Sequence, residues 1–319
     1  MRLVTFRDRG VVGAGAVEGD RVVALAPAYQ AWLSRSGQGR AAERAAALLP
    51  PSAGELLAGG AASLDAARAA VAHAMTGGDR DGDPDLAPLT LPFDRVELLP
   101  PVLLPPKIIC VGVNYADHAA ESAGTFRAAP YPVLFARFAA SLVGHRSPIL
   151  KPAISDELDW EGELAVVIGR AGHRVARADA LGLVGGYSCF NDATLRDFQR
   201  HSSQWTPGKN FAATGGFGPW IVLADAVGSP AGLDLTVTVN GERMQHASTA
   251  DMTFDIPRLI EYITSFTPLG PGDVIATGTP SGVGAFRTPP RFLRPGDVVA
   301  VEISKVGRLE NPVQGEDSA

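Results

Sequence analysis

The chain has 319 residues, 46% of them hydrophobic and 19% charged, which is a globular composition and excludes a disordered chain. Its formal net charge is −6 and it contains no run of basic residues, so a nucleic-acid or anionic-membrane partner is not expected. Glycine (36) and proline (25) together are about a fifth of the chain, against a usual ~12%, and this favours many short strands and loops over a helical bundle.

In chain order, Arg2 to Phe6 alternates weakly, and Ala16 to Leu25 reads as a hairpin with Gly19-Asp20 at its turn. Alanine-rich helical segments follow. Ser52 with Glu55 three residues on is a capping-box signal ahead of Leu56 and Leu57. Ser63 reads as the cap of a second helix running to about Met75. Residues 77–86 form a polar linker, with Asp81-Gly82-Asp83 only faintly like an ion loop. These features predict a small N-terminal α+β domain over residues 1–100 and a larger domain over 101–319.

From Lys107 the chain is rich in strand signals. Lys107–Val113, Asp159–Gly169 and Leu235–Val239 read as strands, and Asn240-Gly241 predicts a type I′ hairpin turn. Pro271-Gly-Asp and Pro295-Gly-Asp each read as a turn that launches a strand. One helix interrupts the pattern: Asp255 is its predicted cap, with Ile256, Leu259, Ile260, Ile263 and Phe266 on one face. The fold class predicted is α+β, mostly β. Prolines 100, 101, 105 and 106 break the most apolar stretch, so no segment is expected to span a bilayer. Cys110 and Cys189 cannot build a disulfide framework, and with no apolar leader at the start they predict a cytoplasmic protein.

The familiar nucleotide, hydrolase-elbow and zinc motifs are absent, and Gly278-Thr-Pro-Ser-Gly-Val-Gly284 lacks the strand and helix context of a dinucleotide site. The chemistry lies elsewhere. On a strand through Trp160–Ile168, Glu161 and Glu163 project to one face, with Asp159 on the same side. Paired carboxylates repel unless a cation sits between them, and oxygen ligands alone favour a hard ion over zinc. The alternative is a solvated strand face. Asp192, where a strand gives way to a short helix, is a third carboxylate or else a helix cap. His118 and Glu121 stand i, i+3, as a general-base pair or as an ordinary surface pair. His73, His145, His173, His201 and His246 have no such partner and read as surface or loop residues.

Together these segments resemble the fumarylacetoacetate hydrolase family, in its bacterial short-form branch. The matching blocks run in the family's order from residue 107 to about 313. They include Lys107-Ile-Ile-Cys-Val-Gly-Val-Asn-Tyr-Ala-Asp-His118, Asp159-Trp-Glu-Gly-Glu163, Gly186-Tyr-Ser-Cys-Phe-Asn-Asp192, Arg196-Asp-Phe-Gln199, Gly208-Lys209 and Gly272–Gly284. The resemblance implies a mixed β-sandwich roll, usually homodimeric, preceded by a small N-terminal domain. It implies Glu161, Glu163 and Asp192 as ligands of Mg²⁺ or Mn²⁺, with Ca²⁺ able to stand in within a crystal. It implies His118 and Glu121 as a water-activating dyad on a segment that orders as a lid, and Lys209 as the cation near a developing enolate. Arg137, where many relatives carry lysine, would hold a substrate carboxylate, or else form a structural ion pair. Gln199 and Thr279 would touch substrate. The activity implied is metal-dependent C–C hydrolysis of an acylpyruvate or β-diketo acid through an enolate. Decarboxylation or isomerisation of a 2-oxo or 2-hydroxymuconate-type diacid in aromatic catabolism is the second reading. A non-catalytic protein with a structural ion is the third.

Overall fold

The computed structural model describes residues 1–78, 89–121 and 130–316. The N-terminal part comprises strands β1 (Arg2–Asp8), β2 (Val11–Glu18) and β3 (Arg21–Ala24), then helices α1 (Leu25–Arg35), α2 (Ala41–Leu48), α3 (Ala53–Ala58) and α4 (Gly60–His73), then β4 (Thr90–Pro92) and β5 (Glu97–Leu99). Next come β6 (Ile108–Gly112), α5 (Ala116–Glu121), β7 (Val133–Ala136), β8 (Leu142–Val143), β9 (Ile149–Lys151), β10 (Leu158–Asp159), β11 (Gly162–Ile168), β12 (Val184–Asn191) and β13 (Thr194–Leu195). The chain continues through α6 (Arg196–Gln199), α7 (Thr206–Lys209), β14 (Gly215–Leu223), α8 (Ala224–Val227), β15 (Asp234–Val239) and β16 (Glu242–Ser248). It closes with α9 (Ile256–Phe266), β17 (Val274–Ala276), β18 (Val298–Ile303) and β19 (Gly307–Gly315). None of the helices among the described residues is long and apolar enough to cross a membrane.

Two mixed sheets organise these elements, an α+β architecture dominated by strand. The larger runs β4-β3-β2-β1-β14-β12-β11-β17-β6-β7, and the smaller runs β16-β15-β18-β19-β9. The N-terminal strands extend the same sheet that carries β11, because β1 pairs with β14. β11 is buried along its whole length, since both of its faces are covered. Leu164, Val166 and Ile168 pack with Leu235, Val237, Val301 and the α9 residues Leu259 and Ile263. Ala165 and Val167 pack on the opposite side, in the cluster that holds Leu25, Leu33, Leu56 and Ala67 of the N-terminal helices.

Local signals account for most of the turns. Asn240 (φ +53°) and Gly241 (φ +81°) give the expected type I′ hairpin between β15 and β16. Before β17 and β18, Asp273 and Asp297 accept hydrogen bonds from the backbone N–H of Gly270 (2.7 Å) and Arg294 (2.8 Å), closing each Pro-Gly-Asp turn. Asp255 caps α9 by accepting from Arg258 N, and Ser52 caps α3 by accepting from Glu55 N.

Three local readings change. Ser63 does not start a helix, because the Gly59-Gly60 pair turns the chain earlier and α4 begins at Gly60, leaving Ser63 buried within its first turns. Phe266 is 60% exposed, because the last turn of α9 runs past the edge of the core, where its ring meets Tyr262 instead. His145 is largely enclosed rather than on the surface: its Nδ1 accepts from Glu310 N, and burial pulls its pKa down to about 4. The Asp81–Asp83 reading lies outside the described residues, as does the 77–86 stretch beyond Gly78.

The two sheets pack tightly at Gly162, where a Cβ would lie 2.1 Å from Val237 Cγ2. Gly162→Ala is therefore expected to lower stability by about 1–3 kcal/mol in urea unfolding. The Gly162→Ala/Val237→Ala double variant is expected to lose less than the sum of the two single losses.

Candidate active site

The strand register brings distant carboxylates together. Glu161 and Glu163 flank Gly162 at the start of β11, and β12 runs antiparallel beside it with Gly162 opposite Asn191. Asp192 leaves the end of β12 next to them, and ligand oxygens of Glu161, Glu163 and Asp192 lie within 4.8 Å of one another. All three are buried, which removes the solvated-face reading. Asp192 is not a helix cap, since α6 is capped by Leu195 without a side-chain bond.

Asp159 does not join them. Its carboxylate accepts from the backbone N–H of Trp160 (2.8 Å), Gly284 (2.7 Å) and Ala285 (2.9 Å) and pairs with Arg196 Nε at 2.8 Å. Burial holds its pKa above the ordinary carboxylate value despite Arg196.

Lys209 ends α7 with its Nζ 2.6 Å from both Glu161 Oε2 and Asp192 Oδ2, and 5.1 Å from the centre of the Phe135 ring. Burial acts to discharge the ammonium, but Asp192 and Glu161 outweigh it and raise its pKa. In Glu161 burial pushes upward, and Lys209 and Arg196 more than reverse this, bringing its pKa to about 2. Glu163 forms no ion pair among the described residues. Burial, with Asp192 and Glu161 adding to it, raises its pKa well above the usual range, although Gly278 N donates to it at 2.8 Å.

The base pair is built on a short helix. β6 ends at Gly112, and Val113 follows it with a φ of +57°, which costs a β-branched residue about 1–3 kcal/mol. Asn114 holds the bend, donating to the carbonyls of Phe254 (3.0 Å) and Thr277 (2.7 Å) and accepting from Phe254 N (2.8 Å). The chain then enters α5, where His118 Nδ1 lies 2.7 Å from Glu121 Oε1. Gly282 N donates to Glu121 Oε2 at 2.8 Å, and Ser281 Oγ donates to Asp117 at 2.6 Å, tying α5 to the glycine-rich loop. His118 is buried and lines one cleft with Glu161, Glu163, Lys209, Gln199 and Thr279.

Among the residues assigned to substrate, Gln199 and Thr279 are on this cleft, with Thr279 Oγ1 accepting from Gln245 Nε2 at 2.8 Å. Arg137 is not. It sits behind Asp192, spending its donors on Asp192, Ala193 O, Ser141 Oγ and Thr214 Oγ1, which is the structural ion pair.

Sequence reasoning gave no role to Arg196 or, apart from Thr279, to the loop at 278–285. Arg196 Nη1 is 2.6 Å from Glu161 Oε1 and 3.1 Å from Gln199 Oε1, so it orients a carboxylate and an amide on the cleft. The loop supplies backbone N–H groups to Glu163, Glu121 and Asp159. The glycines at 278 and 282 were the available signal, and both adopt a φ of +99°.

The donor chemistry fits a hard divalent cation: three carboxylates, no sulfur or nitrogen ligand, and one of the three without an ion-pair partner. Lys209→Met is expected to destabilise the chelator-treated protein by about 3–5 kcal/mol in chemical denaturation. Added Mn²⁺ is expected to stabilise this variant more than the parent. The contribution of ionised Glu161 is fully present above its ordinary value of 4.5 and is lost as pH falls through about 2. The stability gap between parent and Glu161→Gln is therefore expected to be flat above that range and to close on acidification.

Residues 107–314 match the family model of the fumarylacetoacetate (FAA) hydrolase C-terminal domain. The chain is 40% identical over 267 residues to the mitochondrial oxaloacetate tautomerase FAHD2B of Bos taurus, covering 83% of this chain and 80% of the relative. It superposes on a fumarylacetoacetate hydrolase from Exiguobacterium antarcticum with a TM-score of 0.76 at 35% identity, covering 99% of this chain and 100% of the other. Maleylpyruvate hydrolase from Sphingobium sp. SYK-6, in complex with manganese(II) and pyruvate, gives 0.73 at 30% identity and 99% coverage of both chains. The folded β-roll, its ordered sequence blocks and these matches agree: the chain belongs to the fumarylacetoacetate hydrolase family.

Proposed function

We propose that this enzyme uses a divalent cation, Mg²⁺ or Mn²⁺, held by Glu161, Glu163 and Asp192, and moves a proton between carbon and oxygen of a compact 2-oxo acid such as oxaloacetate. The observation that carries this reading is the convergence of His118, Lys209, Glu161 and Glu163 on one cleft, with Asp192 beside the two glutamates and Glu121 hydrogen-bonded to His118. The oxaloacetate tautomerase relative supports it. When bound, the cation would polarise the 2-oxo and carboxylate oxygens of the substrate as a Lewis acid.

The chain's own residues supply the rest. Glu121, itself fixed by Gly282 N, accepts from His118 Nδ1–H and selects the tautomer in which Nε2 is the basic nitrogen. Nε2 takes a proton from the substrate carbon, while Glu121 holds the ring in place through Nδ1. The same group returns the proton to the other end of the enolate. Lys209 stabilises the negative charge on the enolate oxygen, with its ammonium kept charged by Asp192 and Glu161. Gln199 and Thr279 offer neutral hydrogen bonds to the substrate.

Hydrolysis of an acylpyruvate is the second reading, supported by the same dyad acting on water and by the maleylpyruvate hydrolase relative. The higher identity to the oxaloacetate tautomerase, 40% against 30% for the hydrolase, favours proton transfer as the first reading.

Metal-stripped protein reconstituted with Mn²⁺ would be assayed for loss of the oxaloacetate enol absorbance and for pyruvate release from an acylpyruvate. Enol conversion without carbon–carbon cleavage is expected, with His118→Asn lowering kcat about 10²–10⁴-fold and Glu163→Gln abolishing the metal dependence. Metal-dependent pyruvate release would establish hydrolysis instead. Metal binding with neither activity would leave the ion structural.

A further inference from the structure

One boundary of the cleft is not charged. Trp205 lies across the end of β6, and an ideal Cβ on Gly112 would fall 2.2 Å from Trp205 Cζ3 and 2.7 Å from Cη2. The indole therefore rests directly on the glycine backbone, in space that no side chain could share. Phe135, on the neighbouring strand β7, meets it edge-on, with ring centroids 5.4 Å apart and planes at 70°. Gly112, Phe135 and Trp205 all line the cleft that holds His118, Glu163 and Lys209.

This wall is coupled to the charged end. Gly208 N donates to Trp205 O at 3.0 Å, within the turn that ends in Lys209. Gly208 is itself pressed against Gln199, where a Cβ would lie 2.6 Å from the backbone nitrogen. Phe135 touches both ends, with Trp205 at its edge and the Lys209 ammonium over its face. The aromatic wall is thus fixed relative to the carboxylate end by packing on three sides. A substrate anchored at the carboxylate end has its remaining length measured against the indole.

We propose that Trp205, seated on Gly112, is a specificity-determining residue that admits compact 2-oxo acids and excludes those with extended chains. The inference rests on the 2-oxo acid reading of the site and adds the length limit to it. It assigns Trp205 no part in proton transfer.

Binding tests it without turnover. Calorimetric titration of the Mn²⁺-loaded protein would use straight-chain 2-oxo acids of rising length, from pyruvate to 2-oxohexanoate, whose keto form so dominates that no net conversion accompanies binding. The parent is expected to lose affinity as the chain lengthens. Trp205→Ala is expected to flatten that loss, raising the long-to-short affinity ratio by about 10-fold or more, the scale of discrimination by a packed apolar wall. Trp205→Phe should fall between the two. Gly112→Ala must push the indole away and should weaken pyruvate binding while shifting the same ratio. Should Trp205→Ala fail to fold, as judged by its melting transition, Trp205→Phe and Gly112→Ala carry the comparison. Ratios within twofold of the parent in every folded variant would overturn the length limit while leaving the 2-oxo acid reading in place. Failure of all the acids to bind the parent would instead overturn that reading, and the inference with it.

Discussion

Four carboxylates and three cations share the buried heart of this protein. Glu161, Glu163, Asp192 and Asp159 are set against Lys209, Arg196 and Arg137. An uncompensated charge in such surroundings costs several kcal/mol, so the surrounding fold must hold each partner in place. The imbalance falls on Glu163, whose carboxyl is pushed toward its neutral form by burial and by its neighbours. A site with one negative charge more than its own cations can answer is electrostatically prepared for another positive charge.

The architecture follows from that requirement. Antiparallel pairing of β11 with β12 sets Glu163 beside Phe190 and brings Asp192 to the glutamates. Parallel pairing of β17 with β6 then carries the 278–285 loop and α5 to the same end of the sheet. The loop's backbone amides reach three carboxylates belonging to three different roles: Glu163 of the acidic cluster, Glu121 of the base pair and Asp159 of the Arg196 pair. One segment with unusual glycine conformations therefore sets the relative positions of the acidic cluster and the base. Small displacements there would be felt at every reacting group, which is why rigid packing around the loop matters as much as the charged residues themselves.

What was legible in the sequence was what has a short period. The alternation at Glu161–Glu163, the i, i+3 step from His118 to Glu121, the Asn240-Gly241 turn and the Asp255 cap are all settled within a few residues. The relations that escaped are long-range. Asp159 shares the alternation of the two glutamates but is captured by amides more than a hundred residues away. The resemblance offered Arg137 as the partner for a substrate acid, and nothing in the sequence singled out Arg196. Only the folded sheet puts the first behind Asp192 and the second beside Glu161 and the cleft. Ser63 and Phe266 failed for a simpler reason: an earlier glycine pair and the physical end of the core overrode a local pattern.

The pairing of β1 with β14 has a consequence for how the chain is made. The first strand pairs along one edge with β2, made directly after it, but its other edge waits for β5 and for residues 221–222. At ribosomal rates of about 5–20 residues per second, that partner emerges roughly 10–40 s later. During that interval an apolar strand edge is exposed on the nascent chain, open to pairing with other chains. The alanine-rich helices between β3 and β4 can form from local contacts meanwhile and shield one face of it.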